Sequence, residues 1–175
     1  REKIEDIRKV KKAFVKFSTD GLVIVNVIER KEAVVFFNND LYEVLDGNGV
    51  ILSIKQNYEG LSSLPLLVGK DASKNINALL ALVNELGSYQ SEVLYYEWVG
   101  ERRWDIHMKS ELVFKLPENN LNKGLEVMRM FLHETNKLSK PVVSVDLRNI
   151  DKPIIRFRKA PPVEYIQKNT RRLAG

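Results

Sequence analysis

Leu41-Tyr42-Glu43-Val44-Leu45-Asp46-Gly47-Asn48-Gly49-Val50-Ile51-Leu52-Ser53-Ile54 is the stretch that decides the fold. Two apolar-rich segments, 41–45 and 50–54, flank four residues that tolerate φ > 0. The natural reading is a β-hairpin. Asp46 and Asn48 also start a spacing found in calcium loops, but such a loop needs further oxygens and a closing Glu. That pattern is not completed here, so the four residues are read as a plain turn.

Outward from the hairpin toward the N-terminus, residues 33–37 are apolar, and Arg30-Lys31-Glu32 marks a change of pattern. Before it, residues 2–10 read as a short helix with Ile4, Ile7 and Val10 on one side. Residues 12–17 are strand-like, Ser18-Thr19-Asp20-Gly21 is a turn cluster, and residues 22–29 are apolar on both faces, as in a well-covered strand. Helix, strand, turn, strand is half of a small α+β module. The apolar faces of Ile4, Ile7, Val23 and Val25 are therefore expected to lack part of their cover.

Outward toward the C-terminus, residues 64–69 (Leu-Pro-Leu-Leu-Val-Gly) read as a loop. Asp71 is a candidate cap for a helix over 72–86 that Gly87 closes. Ile76, Leu79, Leu80, Val83 and Leu86 form its apolar stripe. Residues 93–98, 104–108 and 112–116 are three more strands. In the middle one Trp104, Ile106 and Met108 share a face, and Asp105, His107 and Lys109 share the other. A second helix starts near Asn120, with Leu121, Leu125, Met128, Leu132 and Thr135 along one side. Pro141 precedes a strand over 142–148 with Val143, Val145 and Leu147 inward, and 154–157 is a last strand. After Pro161-Pro162 the tail is basic and expected to be loosely held.

The chain has 175 residues, 44 % apolar and 29 % charged, which suits one ordinary globular domain or slightly more. Its net charge of +5 is too small to argue for nucleic acid. Without cysteine, disulfides and thiolate metal sites are excluded. No apolar run approaches the roughly 18 residues that span a bilayer, and no signal peptide opens the chain. Any membrane anchor is expected to lie outside it.

Catalytic chemistry finds little purchase. His107 lies beside Asp105 on a polar strand face, but no Gly-x-Ser-x-Gly elbow supplies a nucleophile. His133 stands beside Glu134 with no second His four residues on, short of the converging ligands a metal needs. Arg102-Arg103-Trp104 could clamp a single-stranded nucleic acid, but one such cluster is a poor stacking platform; Trp104 is read as core. No constellation of acid, base or nucleophile emerges, and no cofactor is expected.

Four ordered segments resemble the FtsQ/DivIB family of bacterial cell-division proteins. They are the junction Val27-Ile28-Glu29-Arg30-Lys31-Glu32-Ala33-Val34, the hairpin around Asp46-Gly47-Asn48-Gly49, the combination of 64–69 with Arg102-Arg103-Trp104-Asp105-Ile106, and Val145-Asp146-Leu147-Arg148 before a short final strand. The set covers nearly all of residues 1–159. The chain departs from the family's pattern at Glu32 (usually Pro), Phe36 (usually Trp) and after Arg148, where Tyr and a Gly-containing turn are usual.

The resemblance implies an α+β chain in three parts. Residues 1–31 would be the C-terminal half of a POTRA domain, the first strand and helix being absent. Residues 32–159 would be a mainly antiparallel β domain with two packed helices, and 160–175 a flexible basic tail. It implies no enzyme but a scaffold of the division machinery, held in the inner membrane by one N-terminal helix and facing the periplasm at the septum. The implied partners are FtsB and FtsL, taken by adding a strand to the final one. Asn149, Asp151, Lys152, Ile154, Ile155 and Phe157 match the family's partner-binding strand. Arg102 and Arg103 are either a solvated pair or a contact for an acidic partner residue. Pro153 suits an edge strand, and Arg156, Arg158 and Lys159 would guard that edge and favour an acidic segment. The alternative is a POTRA-type chaperone of outer-membrane transport; the long β region after Glu29 argues against it.

Overall fold

The structure is a computed structural model that describes residues 1–134 and 141–158. It opens with a single helical turn, α1 (Glu2–Glu5), and the antiparallel pair β1 (Val10–Phe17) and β2 (Val23–Glu29), which form a separate two-stranded ribbon. The helix is shorter than the 2–10 expected. Val10 instead starts β1, pairing with Glu29 and burying its side chain, and a helix of two turns has little cooperative stability of its own.

The remaining strands build one nine-stranded sheet. They are β3 (Glu32–Asn38), β4 (Leu41–Asp46), β5 (Ile51–Lys55), β6 (Leu66–Val68), β7 (Val93–Val99), β8 (Arg103–Met108), β9 (Val113–Lys115), β10 (Val142–Asp146) and β11 (Ile154–Phe157). Their order across the sheet is β11-β10-β9-β8-β7-β6-β3-β4-β5. Five of the eight junctions are antiparallel, so the sheet is mostly antiparallel, as expected. The other three, β3–β6, β6–β7 and β9–β10, are parallel. Parallel neighbours need a crossover. Two of these pairs are joined by helices, α2 (Ile76–Leu86) between β6 and β7, and α3 (Leu121–Glu134) between β9 and β10.

β6 corrects the reading of 64–69 as a loop. Only three residues are regular, between Pro65 and Gly69, so neither length nor alternation announces a strand. It sits mid-sheet, with Leu67 fully buried. Gly69 lies against β7: a Cβ there would come 2.4 Å from the Trp98 carbonyl oxygen.

One face of the sheet carries the main core. Val34, Phe36, Leu45, Leu67, Tyr96, Trp104, Ile106, Phe114 and Val145 point there and meet Leu79, Leu82, Val83 and Leu86 of α2 and Leu125 and Met128 of α3. Asp71 does not cap α2. It adopts φ 57° ahead of a turn of 3-10 helix over 72–75, and its carboxylate pairs with Lys74 instead. Gly87 ends α2 at φ 55°, as expected. Thr135 and the tail from residue 159 lie outside the described residues.

On the opposite face, an apolar cover of Tyr58, Leu61 and Leu64 lies over β3, β4 and β6. Elsewhere that face carries polar residues that the strand registers align in rows. Asp146, Lys115, Asp105 and Glu97 form one row; Arg156, Ser144, Val113, His107 and Tyr95 form the next.

Candidate partner-binding edge

The sheet has two edges, β5 and β11. β5 is interrupted, because the register shift between Val44 and Leu45 leaves Leu52 as an extra residue. It also ends on Lys55, and both devices discourage pairing. β11 is continuous. The irregularity in its pairing falls on β10, where Val143 is the extra residue.

The outward groups of β11 follow from one bond. Arg158 donates its amide to the Pro141 carbonyl at 2.9 Å, so residue 158 faces β10. Antiparallel residues alternate, with amide and carbonyl of each pointing the same way. Arg156 and Ile154 therefore also face β10, while Ile155 and Phe157 turn theirs to the free edge. Leu147 donates to the Lys115 carbonyl at 2.8 Å, so Leu147, and Val145 by alternation, faces β9. That leaves Val145–Ile155 as a non-hydrogen-bonded pair. Among the described residues two donors and two acceptors thus stand open, and Pro153 just before the strand has no N–H to add.

Side chains on β11 divide the same way. Ile155 pairs with Val145, whose side chain is in the helix-side core, so Ile155 and Phe157 lie on the helix-covered face. Ile154 and Arg156 lie on the polar face. All four are exposed, Ile154 at 63 %. An edge whose apolar side chains are open on both faces and whose backbone polar groups are unpaired is a template for one more strand.

The turn into β11 is rigidly made. Asn149 accepts the Asp151 amide on its side-chain oxygen at 3.1 Å and the Lys152 amide on its carbonyl at 3.2 Å. Asn149, Asp151 and Lys152 are exposed and sit at the start of the edge. Asp146 and Arg148 pair: the guanidinium reaches the carboxylate through Nε at 2.9 Å and Nη2 at 2.6 Å. That hydrogen bond holds the Asp146 pKa below its usual range.

Arg102 and Arg103 are not brought into this site. Arg103 heads β8, three strands from β11, or about 14 Å at the usual strand spacing. Its Nε bonds Asp105 Oδ1 at 3.1 Å, and both side chains are nearly closed to solvent. Burial raises the Asp105 pKa, and Arg103 pulls against that. Arg103 thus holds a carboxylate of its own chain, and only Arg102 is exposed. Equal parity on one strand, which puts 103 and 105 on one face, was the signal available in the sequence. Arg158, expected to guard the edge, pairs with Glu111, and Lys159 lies outside the described residues.

His107 bonds Glu97 at 2.8 Å and stacks on Tyr95 with ring centroids 4.1 Å apart. His133 meets its neighbour Glu134. Among the described residues no group of three or more His, Cys, Asp or Glu is placed to hold a metal.

Residues 33–148 match the family model for the cell division protein FtsQ/DivIB, C-terminal. Over 136 residues the chain is 30 % identical to the cell division protein FtsQ of Rhizobium radiobacter, covering 77 % of this chain and 64 % of that one. Over 160 residues it is 27 % identical to the FtsQ of a Jannaschia species, covering 91 % of this chain and 51 % of that one. The chain spans between 40 % and 64 % of the length of its first three relatives. Among solved structures, the major extracytoplasmic domain of the cell division protein DivIB from Geobacillus stearothermophilus aligns over 65 % of this chain and 99 % of that one, at TM-score 0.44 and 15 % identity. With two thirds of its length inside the family match, a continuous run from β3 through β10, the chain belongs to the FtsQ/DivIB family of cell-division proteins.

Proposed function

We propose that the chain is a non-enzymatic scaffold of the division machinery that binds a strand of FtsB, and through it FtsL, along β11. The observation that carries this is the free edge itself: Ile155 and Phe157 present unpaired amides and carbonyls beside exposed apolar side chains. Main-chain bonds supply affinity in such a contact and side chains supply selectivity. Asn149, Asp151 and Lys152 would meet the partner at the start of the strand, and Arg156 would favour an acidic residue beside it. Arg102, exposed but distant, would serve only a partner that extends across the polar face.

The same reading makes residues 1–31 the C-terminal half of a POTRA domain and 32–159 the β domain; 160–175 lie outside the described residues. Ile7, Val23 and Val25 are exposed, which suits a module whose first strand and helix lie elsewhere in the protein. It also places the chain in the periplasm at the septum, anchored in the inner membrane by a segment outside it. Among the described residues no helix is long and apolar enough to cross a membrane. The family match over 33–148 does not favour the outer-membrane transport chaperone. The test is a binding titration with the periplasmic segment of FtsB: saturable binding supports the assignment, and no binding at high micromolar concentration refutes it.

A further inference from the structure

The β1–β2 ribbon forms a sheet of its own. Its two faces differ. Strand pairing puts Val10, Ala13, Val15, Phe17, Val23, Val25 and Val27 on one face. Val10 and Ala13 are buried there, beside α1. This is the face that a further helix would cover. The other face carries Lys12, Phe14, Lys16, Ile24, Asn26 and Ile28. Phe14, Ile24 and Ile28 are each 42–48 % exposed, and the Lys12 ammonium sits 5.0 Å from the Phe14 ring centre. This face has two lysines and no carboxylate.

Charge is concentrated in the same place. Residues 1–31 hold nine Lys and Arg against five Asp and Glu, whereas the other 144 residues hold nineteen against eighteen. Four of the five net positive charges therefore sit on the ribbon module. At its tip, Phe17 is 81 % and Leu22 61 % exposed. Asp20, the acidic group in that turn, accepts from Ser18 and Leu22 and stays ionised; it is outnumbered.

We propose that the face of the ribbon opposite α1 docks on an anionic lipid surface. Lysines beside apolar side chains are the pairing such a surface selects: the ammonium groups reach the headgroups while their stems and neighbours enter the acyl boundary. A protein partner would need a matching acidic groove. A bilayer needs only a face with basic and apolar groups interleaved, and this face of the ribbon supplies one. The occupant is a membrane surface, and the contact is peripheral.

The test is co-sedimentation of the whole 175-residue chain with phosphatidylcholine vesicles containing about 30 % phosphatidylglycerol, and with phosphatidylcholine alone. Binding is expected only to the anionic vesicles and is lost in about 0.5 M salt, where the screening length is a few ångströms. Each lysine near such a surface is worth about fivefold in partitioning, so the double variant Lys12→Glu/Lys16→Glu should bind at least about tenfold more weakly. Phe14→Ser/Ile24→Ser should weaken binding without changing its salt dependence. Lys55→Glu/Lys70→Glu changes the net charge equally, off the ribbon, and should bind like the parent. Circular dichroism checks that each variant is folded. Absence of binding to anionic vesicles, or an equal loss in the Lys55/Lys70 control, overturns the proposal. So does a self-associated chain whose dimer, not vesicle binding, is lost in Lys12→Glu/Lys16→Glu.

Discussion

Arg30 donates from Nη1 to Asp46 Oδ2 at 2.7 Å, joining the end of the ribbon to the turn of the β4–β5 hairpin. The other carboxylate oxygen of Asp46 accepts the amides of Asn48 and Val50, each at 2.9 Å. One buried side chain thus closes the hairpin and holds the junction between the two sheets.

Removing Asp46 is therefore expected to be costly. Asp46→Ala leaves two amides and a guanidinium without their acceptor, a loss of about 2–4 kcal/mol; Asp46→Asn keeps an acceptor for the amides and should lose less. Burial works to raise the Asp46 pKa, but the Val50 amide, Arg30 and the Asn48 amide outweigh it and leave it below its usual range. A depressed carboxylate contributes its stability above the unfolded pKa, near 4, and loses it as pH falls through the folded value. Urea unfolding should show the gap between parent and Asp46→Ala at pH 7 narrowing at about pH 3.

Arg103 and Asp105 give the opposite dependence. Burial raises the Asp105 pKa, so its contribution is most favourable below about pH 4 and declines as pH rises through the folded value. Arg103→Ala removes the opposing cation, leaves a buried carboxylate unpaired and raises that pKa further. The expected cost is about 3 kcal/mol at pH 8 and clearly less at about pH 5, where the acid form is better populated. Equal destabilisation at both values would show that the pair is not electrostatically coupled.

Gly69 has φ +114° and its Cα faces the Trp98 carbonyl, with 2.4 Å left for a Cβ. Gly69→Ala must part β6 from β7 or shift the backbone, at a cost of at least about 3 kcal/mol. Thermal unfolding should place the variant at least about 6 °C below the parent, about what that loss means for a chain of this size. A smaller drop would mean that β6 can slide.

The strands of the antiparallel hairpins were legible because alternation and turn chemistry are local. Asp46-Gly47-Asn48-Gly49 announced β4 and β5, and Trp104, Ile106 and Met108 announced the buried face of β8. β6 was not legible: three residues between Pro65 and Gly69 carry no period, and the mid-sheet place of the buried Leu67, between two parallel neighbours and under the helix-side core, comes only from the tertiary fold. The edge position of β11 followed from Pro153 and the charges around it. The separation of Arg103 from that edge did not, because strand order across a sheet is not written in residue spacing. Its attachment to Asp105 was readable from parity alone.

Ile155→Pro is the decisive variant for the edge. Ile155 lies opposite Val145 in a non-hydrogen-bonded pair, so its amide is not used by β10. Proline there removes one of the two outward donors of β11 and costs the sheet no ladder bond. Ile154, the residue before it, is already extended, the conformation that a following proline requires. The variant should fold, with thermal unfolding within a few degrees of the parent, as an edge strand tolerates proline. Its affinity for the FtsB periplasmic segment should fall at least about tenfold, since a lost donor also leaves the partner's carbonyl unsatisfied. Arg156→Pro, one residue on, removes a donor that β10 does use and should instead lower stability. If Ile155→Pro is folded and binds FtsB like the parent, the partner strand does not add to β11.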